Sequence, residues 1–175
     1  VLWPAGGGQP RELPLPAGYQ GAAVGIADDG SVLAQASQQL SNTTSFRWTA
    51  QGVRQELPTT KPGNKALVTA VQGHWAAGFE SDPATGRSTT VRWNLRTGAV
   101  QVLPSMDVNA VNGRGDVAGQ AGAHAALVRG TTLVTLPGLA AKASGAEALS
   151  DTGAVAGFAR DATNAVHAVT WHCGR

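Results

Sequence analysis

Residues 88–104 read Ser-Thr-Thr-Val-Arg-Trp-Asn-Leu-Arg-Thr-Gly-Ala-Val-Gln-Val-Leu-Pro. A β-branched run ends on Trp93, a Gly-bearing turn follows, and a second short strand closes on Leu103-Pro104. The phrase recurs. Trp3, Trp48, Trp93 and Trp171 mark its phase, with Val128 standing where another Trp is expected, so successive offsets are 45, 45, 35 and 43 residues. Leu13-Pro14, Leu57-Pro58, Leu103-Pro104 and Leu136-Pro137 follow those positions by eight to ten residues. Two markers keeping step point to one repeated unit. A period near forty with four short strands per unit is the length signature of propeller blades, none of which buries its apolar face alone.

Between the markers each unit carries an Ala-rich strand, a Gly turn and a strand of small residues. The turns are Ala27-Asp28-Asp29-Gly30, Val71-Gln72-Gly73, Val111-Asn112-Gly113-Arg114-Gly115 and Ser150-Asp151-Thr152-Gly153. Asx and Gly tolerate the positive φ that a tight hairpin demands, so these are hairpin tips. The small-residue strands hold Leu33-Ala34-Gln35, Ala76-Ala77-Gly78-Phe79, Val117-Ala118-Gly119-Gln120 and Val155-Ala156-Gly157-Phe158, small enough to let backbones approach closely. The sequence therefore predicts a single all-β domain over residues 1–175: a β-propeller of four blades with about four antiparallel strands per blade, repeats running approximately 4–48, 49–93, 94–128 and 129–171. Trp strands stand at both ends of the chain, so either could complete a shared blade that closes the ring. The alternative is half of a larger ring completed by a second copy.

Composition agrees. Gly (23) and Pro (9) suit a chain with many turns, and 42% hydrophobic residues exclude a disordered one. A net charge of +2, with Arg residues scattered singly, leaves no phosphate-tracking surface, so a nucleic-acid partner is not expected. No stretch reaches the apolar length of a membrane-spanning helix, and membrane insertion is not expected. No signal-like run opens the chain, which for an exported protein implies a leader already removed. Cys173 is the single cysteine and cannot form an internal disulfide; between chains it is able to link a dimer, so monomer and homodimer both stay open.

His124-Ala125-Ala126-Leu127 and His167-Ala168-Val169-Thr170-Trp171, the second preceded by Ala148 to Gly157, resemble the HAF repeat of bacterial extracellular proteins. The resemblance covers nearly the whole chain and implies a secreted, extracellular, propeller-like scaffold without a shared chemistry. Here His stands in the motif only in the third and fourth units, Phe46 is the only aromatic in the Phe slot, and the third unit lacks its Trp.

No residue pattern specifies catalysis, a metal or a cofactor. Cys173 beside His172 points to the opposite face of a strand, and the four His residues lack tight ligand spacing. Arg114-Gly115-Asp116 spells an adhesion tripeptide but sits in the repeat's turn register. Two sets of residues are candidates for binding. His74 and Trp75 fall off the repeat pattern, where function is commonly added to a repeat scaffold, and Trp suits a sugar ring or a protein anchor. Strand alternation gathers the longer loops on one rim, bringing Gln39, Asn42, Asp82, Arg87, Arg160, Asp161 and Asn164 forward. The expected function is a secreted, non-catalytic binding module for a protein partner or cell-surface component. A lectin-type glycan module is the first alternative, and a small hydrolase or lyase with its site on the ring axis the second.

Overall fold

The computed structural model describes residue 3, residues 6–38 and residues 43–172. Gln39, Asn42 and Cys173 lie outside them. The described residues form fifteen strands and no helix. In chain order these are β1 (Gln20–Ile26), β2 (Val32–Ser37), β3 (Thr43–Trp48), β4 (Arg54–Glu56), β5 (Lys65–Gln72), β6 (Trp75–Ser81), β7 (Ser88–Asn94) and β8 (Ala99–Val102). They continue as β9 (Asp107–Val111), β10 (Val117–Ala121), β11 (His124–Arg129), β12 (Thr132–Thr135), β13 (Ser144–Leu149), β14 (Ala154–Arg160) and β15 (Val166–His172). They assemble as four antiparallel meanders: sheet I (β1 to β4), sheet II (β5 to β8), sheet III (β9 to β12) and sheet IV (β13 to β15).

Two features differ from the sequence-based expectation. Among the described residues β4, β8 and β12, which run into Leu57, Leu103 and Leu136, each pair with the strand before them, as in Trp93 opposite Val100, so the sheets are phased one strand later than the repeats. A tight turn between the two strands makes that pairing local and cheap in loop-closure entropy. Among the described residues sheet IV has three strands instead of four, with β15 last in its order.

The Trp and Leu-Pro markers meet between sheets. The indole N–H of Trp93 donates to the Pro58 carbonyl at 2.8 Å, that of Trp171 to Pro137 at 2.7 Å and that of Trp48 to Pro14 at 3.1 Å. Each bond joins a sheet to the link that precedes it and satisfies the one polar atom of a large buried ring. Trp48 sits in an apolar cluster with Ala34, Ala36 and Phe46, against which Leu13, Leu15 and Tyr19 pack, and three further clusters join the sheets. The first joins Leu33 of sheet I to Val68, Val91 and Trp93 of sheet II. The second joins Ala70 and Ala77 of sheet II to Val108, Val117 and Val128 of sheet III. The third joins Ala118 and Leu127 of sheet III to Ala146, Val155 and Trp171 of sheet IV.

The first strand of every sheet carries a β-bulge at the same place, leaving Val24, Thr69, Asn109 and Glu147 unpaired. Opposite the bulge stand Ala34, Gly78, Gly119 and Gly157. The bulge drives a first-strand carbonyl toward the second strand: a Cβ on Gly119 would lie 1.9 Å from the Asp107 oxygen, and one on Gly157 would lie 2.0 Å from that of Gly145. Small residues there thus answer a clash within the sheet as well as close approach between sheets. Gly119→Ala is expected to destabilise the fold by about 2–3 kcal/mol through overpacking that the backbone must absorb, measurable as a lower urea midpoint.

Candidate functional site

Antiparallel order sorts the connections onto two ends. At one end lie the tips between first and second strands, and successive tips touch: Asp28 N–H donates to the Gly73 carbonyl at 2.8 Å, and Gly113 N–H to Asp151 Oδ1 at 2.7 Å. At the other end lie the hairpins between second and third strands, together with the links that carry the chain from sheet to sheet. His74 and Trp75 belong to the first end, and Asp82, Arg87, Arg160, Asp161 and Asn164 to the second. The structure does not unite the two sets, because a strand seven residues long separates the tip at His74 from the hairpin at Asp82.

Trp75 is half-buried and packs against the cluster between sheets II and III. The Arg92 guanidinium lies 5.2 Å from its ring centroid, and its carbons cover Gly115 so closely that a Cβ there would sit 2.8 Å away. Arg92 is itself fixed, by Gln101 and by a short bond to the Gly115 carbonyl. Burial of this guanidinium pulls its pKa down, against a smaller rise from the Asp116 charge. One face of Trp75 is therefore a structural contact. Its neighbour His74 lines a cleft of about 150 Å³ with Asp28, Asp29 and Arg96. Asp29 is already engaged: the Ser31 hydrogen bonds, with the adjacent Arg47 guanidinium, hold its carboxyl below the usual range although partial burial opposes them.

The adhesion-like triplet folds in on itself. Arg114 Nε and Nη2 reach Asp116 Oδ2 at 3.3 and 3.1 Å, and Asn112 donates to the same oxygen at 3.1 Å. Asp116 is buried, so the triplet stabilises the turn and is not presented as an adhesion loop.

At the opposite end the candidate acids organise their own hairpins. Asp82 Oδ1 accepts from the N–H of Ala84 at 2.9 Å and of Thr85 at 3.3 Å, and these bonds lower its pKa. Asp161 Oδ1 accepts from the Thr163 hydroxyl at 2.7 Å and from Ala165 N–H at 3.0 Å, while Oδ2 meets His167 Nε2 at 2.8 Å. The Thr163 hydroxyl first, then His167, hold this carboxyl well below the usual range. Asn164 takes φ 71°, a conformation Asn tolerates better than most residues, and its carbonyl accepts from Arg160 Nη1 at 3.0 Å. Arg87 is exposed. The two hairpins belong to sheets II and IV, with sheet III between them, so they are separate points along one rim.

Glu80 carries no mark in the sequence. Only 1% exposed, it accepts from Thr60 N–H and Oγ1 at 2.8 Å each, Lys61 N–H at 3.2 Å and Asn64 Nδ2 at 2.6 Å. A buried carboxylate from sheet II thereby fixes the link that leaves sheet I. Burial pushes its pKa up, but the bonds from Thr60, Asn64 and Lys61 outweigh that and hold it below the usual range. An isolated acid at a strand end gives no sequence signal, since its donors lie 16 to 20 residues upstream.

Two outcomes follow. Because the folded-state pKa is depressed, the Glu80 contribution is present above the unfolded value of about 4.3 and is lost as pH falls through the folded value. Glu80→Gln is expected to cost about 1–3 kcal/mol at neutral pH, with the gap from wild type narrowing below about pH 4 in urea titrations. Trp75→Ala is expected to cost about 2–4 kcal/mol by the same measurement, the lower part of the range for large aromatic truncations because the ring is only half-buried.

Comparison with known proteins gives the fold a context. No protein-family model matches the chain, and no curated protein matches it. Among solved structures it is similar to TolB from Acinetobacter baumannii, with a TM-score of 0.57 at 12% identity, over 95% of this chain and 44% of that one. The chain thus spans less than half the length of that protein, and the likeness establishes a β-propeller-like, all-β arrangement of sheets.

Proposed function

We propose that the chain is a non-catalytic, secreted interaction module, its sheets serving as propeller blades and its hairpin-and-link rim recognising a protein partner or cell-surface component. The supporting observation is the internal ordering of that rim. Asp82 and Asp161 spend their oxygens on donors of their own hairpins, and Glu80 on donors of the link from Thr60 to Asn64, which holds those loops in one shape while Arg87 and the polar loop surface face solvent. Loops preorganised in this way lose little entropy on binding. The propeller-like fold and the extracellular repeat resemblance are compatible with this role.

The lectin reading is less well supported. Its anchor was Trp75, and one face of that ring already lies against Arg92 and Gly115.

The test is cross-linked capture on immobilised protein from the surface of the cells that produce it, using wild type, an Arg87→Ala/Arg160→Ala variant and a His74→Ala variant from the opposite end. A partner retained by wild type and His74→Ala but lost at least tenfold by the double variant, a loss of about 1.4 kcal/mol, supports the rim. Loss with His74→Ala alone would place binding at the other end. Binding of free glycans that requires Trp75 would restore the lectin reading.

A further inference from the structure

One groove on the rim gathers polar side chains that the fold itself does not engage. It lies between sheets II and III, holds about 270 Å³, and is lined by Phe79 and Ser88 of sheet II, Ser105 and Met106 of the link, and Asp107 and Gln120 of sheet III. Its floor is fixed. Buried Thr90 donates to the Met106 carbonyl at 3.0 Å and accepts from Met106 N–H at 3.2 Å, which pins the link across the seam. Phe79 is half-buried against the apolar cluster that joins the two sheets, while Ser88, Ser105 and Asp107 are exposed.

Asp82, Asp161 and Glu80 organise the loops of this rim, but Asp107 does not. Among the described residues, the side chains of Ser88, Ser105, Asp107 and Gln120 make no hydrogen bond with the rest of the chain. The repeat register gives the reason. In the other sheets the place of Asp107 is held by Ala22, Leu67 and Gly145, so the acid answers no need of the shared unit. Gln120 holds the place of Gln35, whose amide donates to the Val68 carbonyl of the next sheet at 2.8 Å. The carbonyl that corresponds to it beside sheet III belongs to Ala146 and accepts from Asn109 instead, at 2.9 Å, so Gln120 is not drawn into that seam.

From this we infer that the groove between sheets II and III binds one ring of a neutral carbohydrate. Asp107 accepts from its hydroxyls, the Gln120 amide and the Ser88 and Ser105 hydroxyls both donate and accept, and the Phe79 ring meets its C–H face. The inference rests on the rim being the binding face and names the chemistry of the surface component taken there. An apolar wall with a few convergent polar groups is the usual composition of a small-ligand site, and the volume lies just under the roughly 300–1,000 Å³ of sites for larger ligands, which suits a single ring. Other ligand classes fit less well. No Lys, Arg or His is among the lining residues, so an anion would meet the Asp107 charge without a counter-charge. An ammonium or guanidinium only donates, which would leave the Gln120 amide N–H groups without a partner.

The test is an amide-correlation NMR titration with the methyl glycosides of glucose, galactose, mannose, rhamnose and N-acetylglucosamine, on wild type, Asp107→Ala, Phe79→Gln and His74→Ala. The first two substitutions write in residues that other sheets carry at those places, Ala22 and Gln35, and the same spectra report whether each variant is folded. Wild type and His74→Ala are expected to show saturable shifts at Phe79, Asp107, Gln120 and Gly122 with at least one glycoside, weakened at least tenfold by Asp107→Ala and by Phe79→Gln. Silence with every glycoside overturns the inference, as do shifts that Asp107→Ala leaves unchanged. So does a groove that takes N-acetyl-lysine methylamide and no sugar. Adding Asp107→Ala to the surface-capture experiment separates this inference from the rim reading. Capture that persists in Asp107→Ala while no glycoside binds overturns the carbohydrate assignment alone, whereas capture that survives Arg87→Ala/Arg160→Ala overturns the rim reading itself.

Discussion

The bulge on the first strand of each sheet is the constraint around which the molecule is arranged. It takes one residue out of the ladder and pushes a carbonyl toward the second strand, which demands a small residue there. It also turns the preceding carbonyl outward, where a side chain of the neighbouring sheet donates to it, as Asn109 does to Ala146. One local irregularity thus sets both the composition of the second strand and the polar contact between sheets. The larger apolar interface, with its Trp rings and Leu-Pro links, is then free to be filled by residues of different size, and Val128 replaces a Trp without loss of the sheet.

Polar groups caught between sheets follow the same economy. Ser45 accepts from Val68 N–H at 2.9 Å, Thr90 donates to the Met106 carbonyl at 3.0 Å, and Ser144 accepts from Ala125 N–H at 2.9 Å. Short hydroxyl side chains each reach the backbone of one residue across the seam, Thr90 bonding both the carbonyl and the N–H of Met106, and cost little conformational entropy, so strand-to-strand variation in the core is tolerated. Among the described residues, no buried side-chain nitrogen or oxygen lacks a partner. Glu80 is the costly member of this set, because a buried carboxylate is stable only when its lone pairs are met, and its four donors all come from one link. It converts what would be a loose connection into part of the rim.

Of the candidate binding residues, the sequence located the loops well and their roles poorly. That Asp82, Asp161 and Asn164 stand at hairpins follows from turn chemistry; that Asp161 is held by Thr163 and His167 depends on a hairpin geometry that residue types alone do not specify. Trp75 falls off the repeat, but its partners Arg92 and Gly115 come from 17 and 40 residues away in the chain. Nothing in the sequence pairs them.

The sequence by itself determined that the protein is all-β, that its unit recurs at the Trp and Leu-Pro marks, and that its turns fall at the Asx and Gly positions. These are local matters of periodicity and backbone conformation, written over a few residues at a time. The tertiary structure alone decided how strands are shared among sheets, why a small residue is needed opposite each bulge, and which acid is buried. Those depend on which strand lies beside which, and on carbonyls and side chains far apart in sequence meeting across an interface, a relation that repeat spacing does not contain.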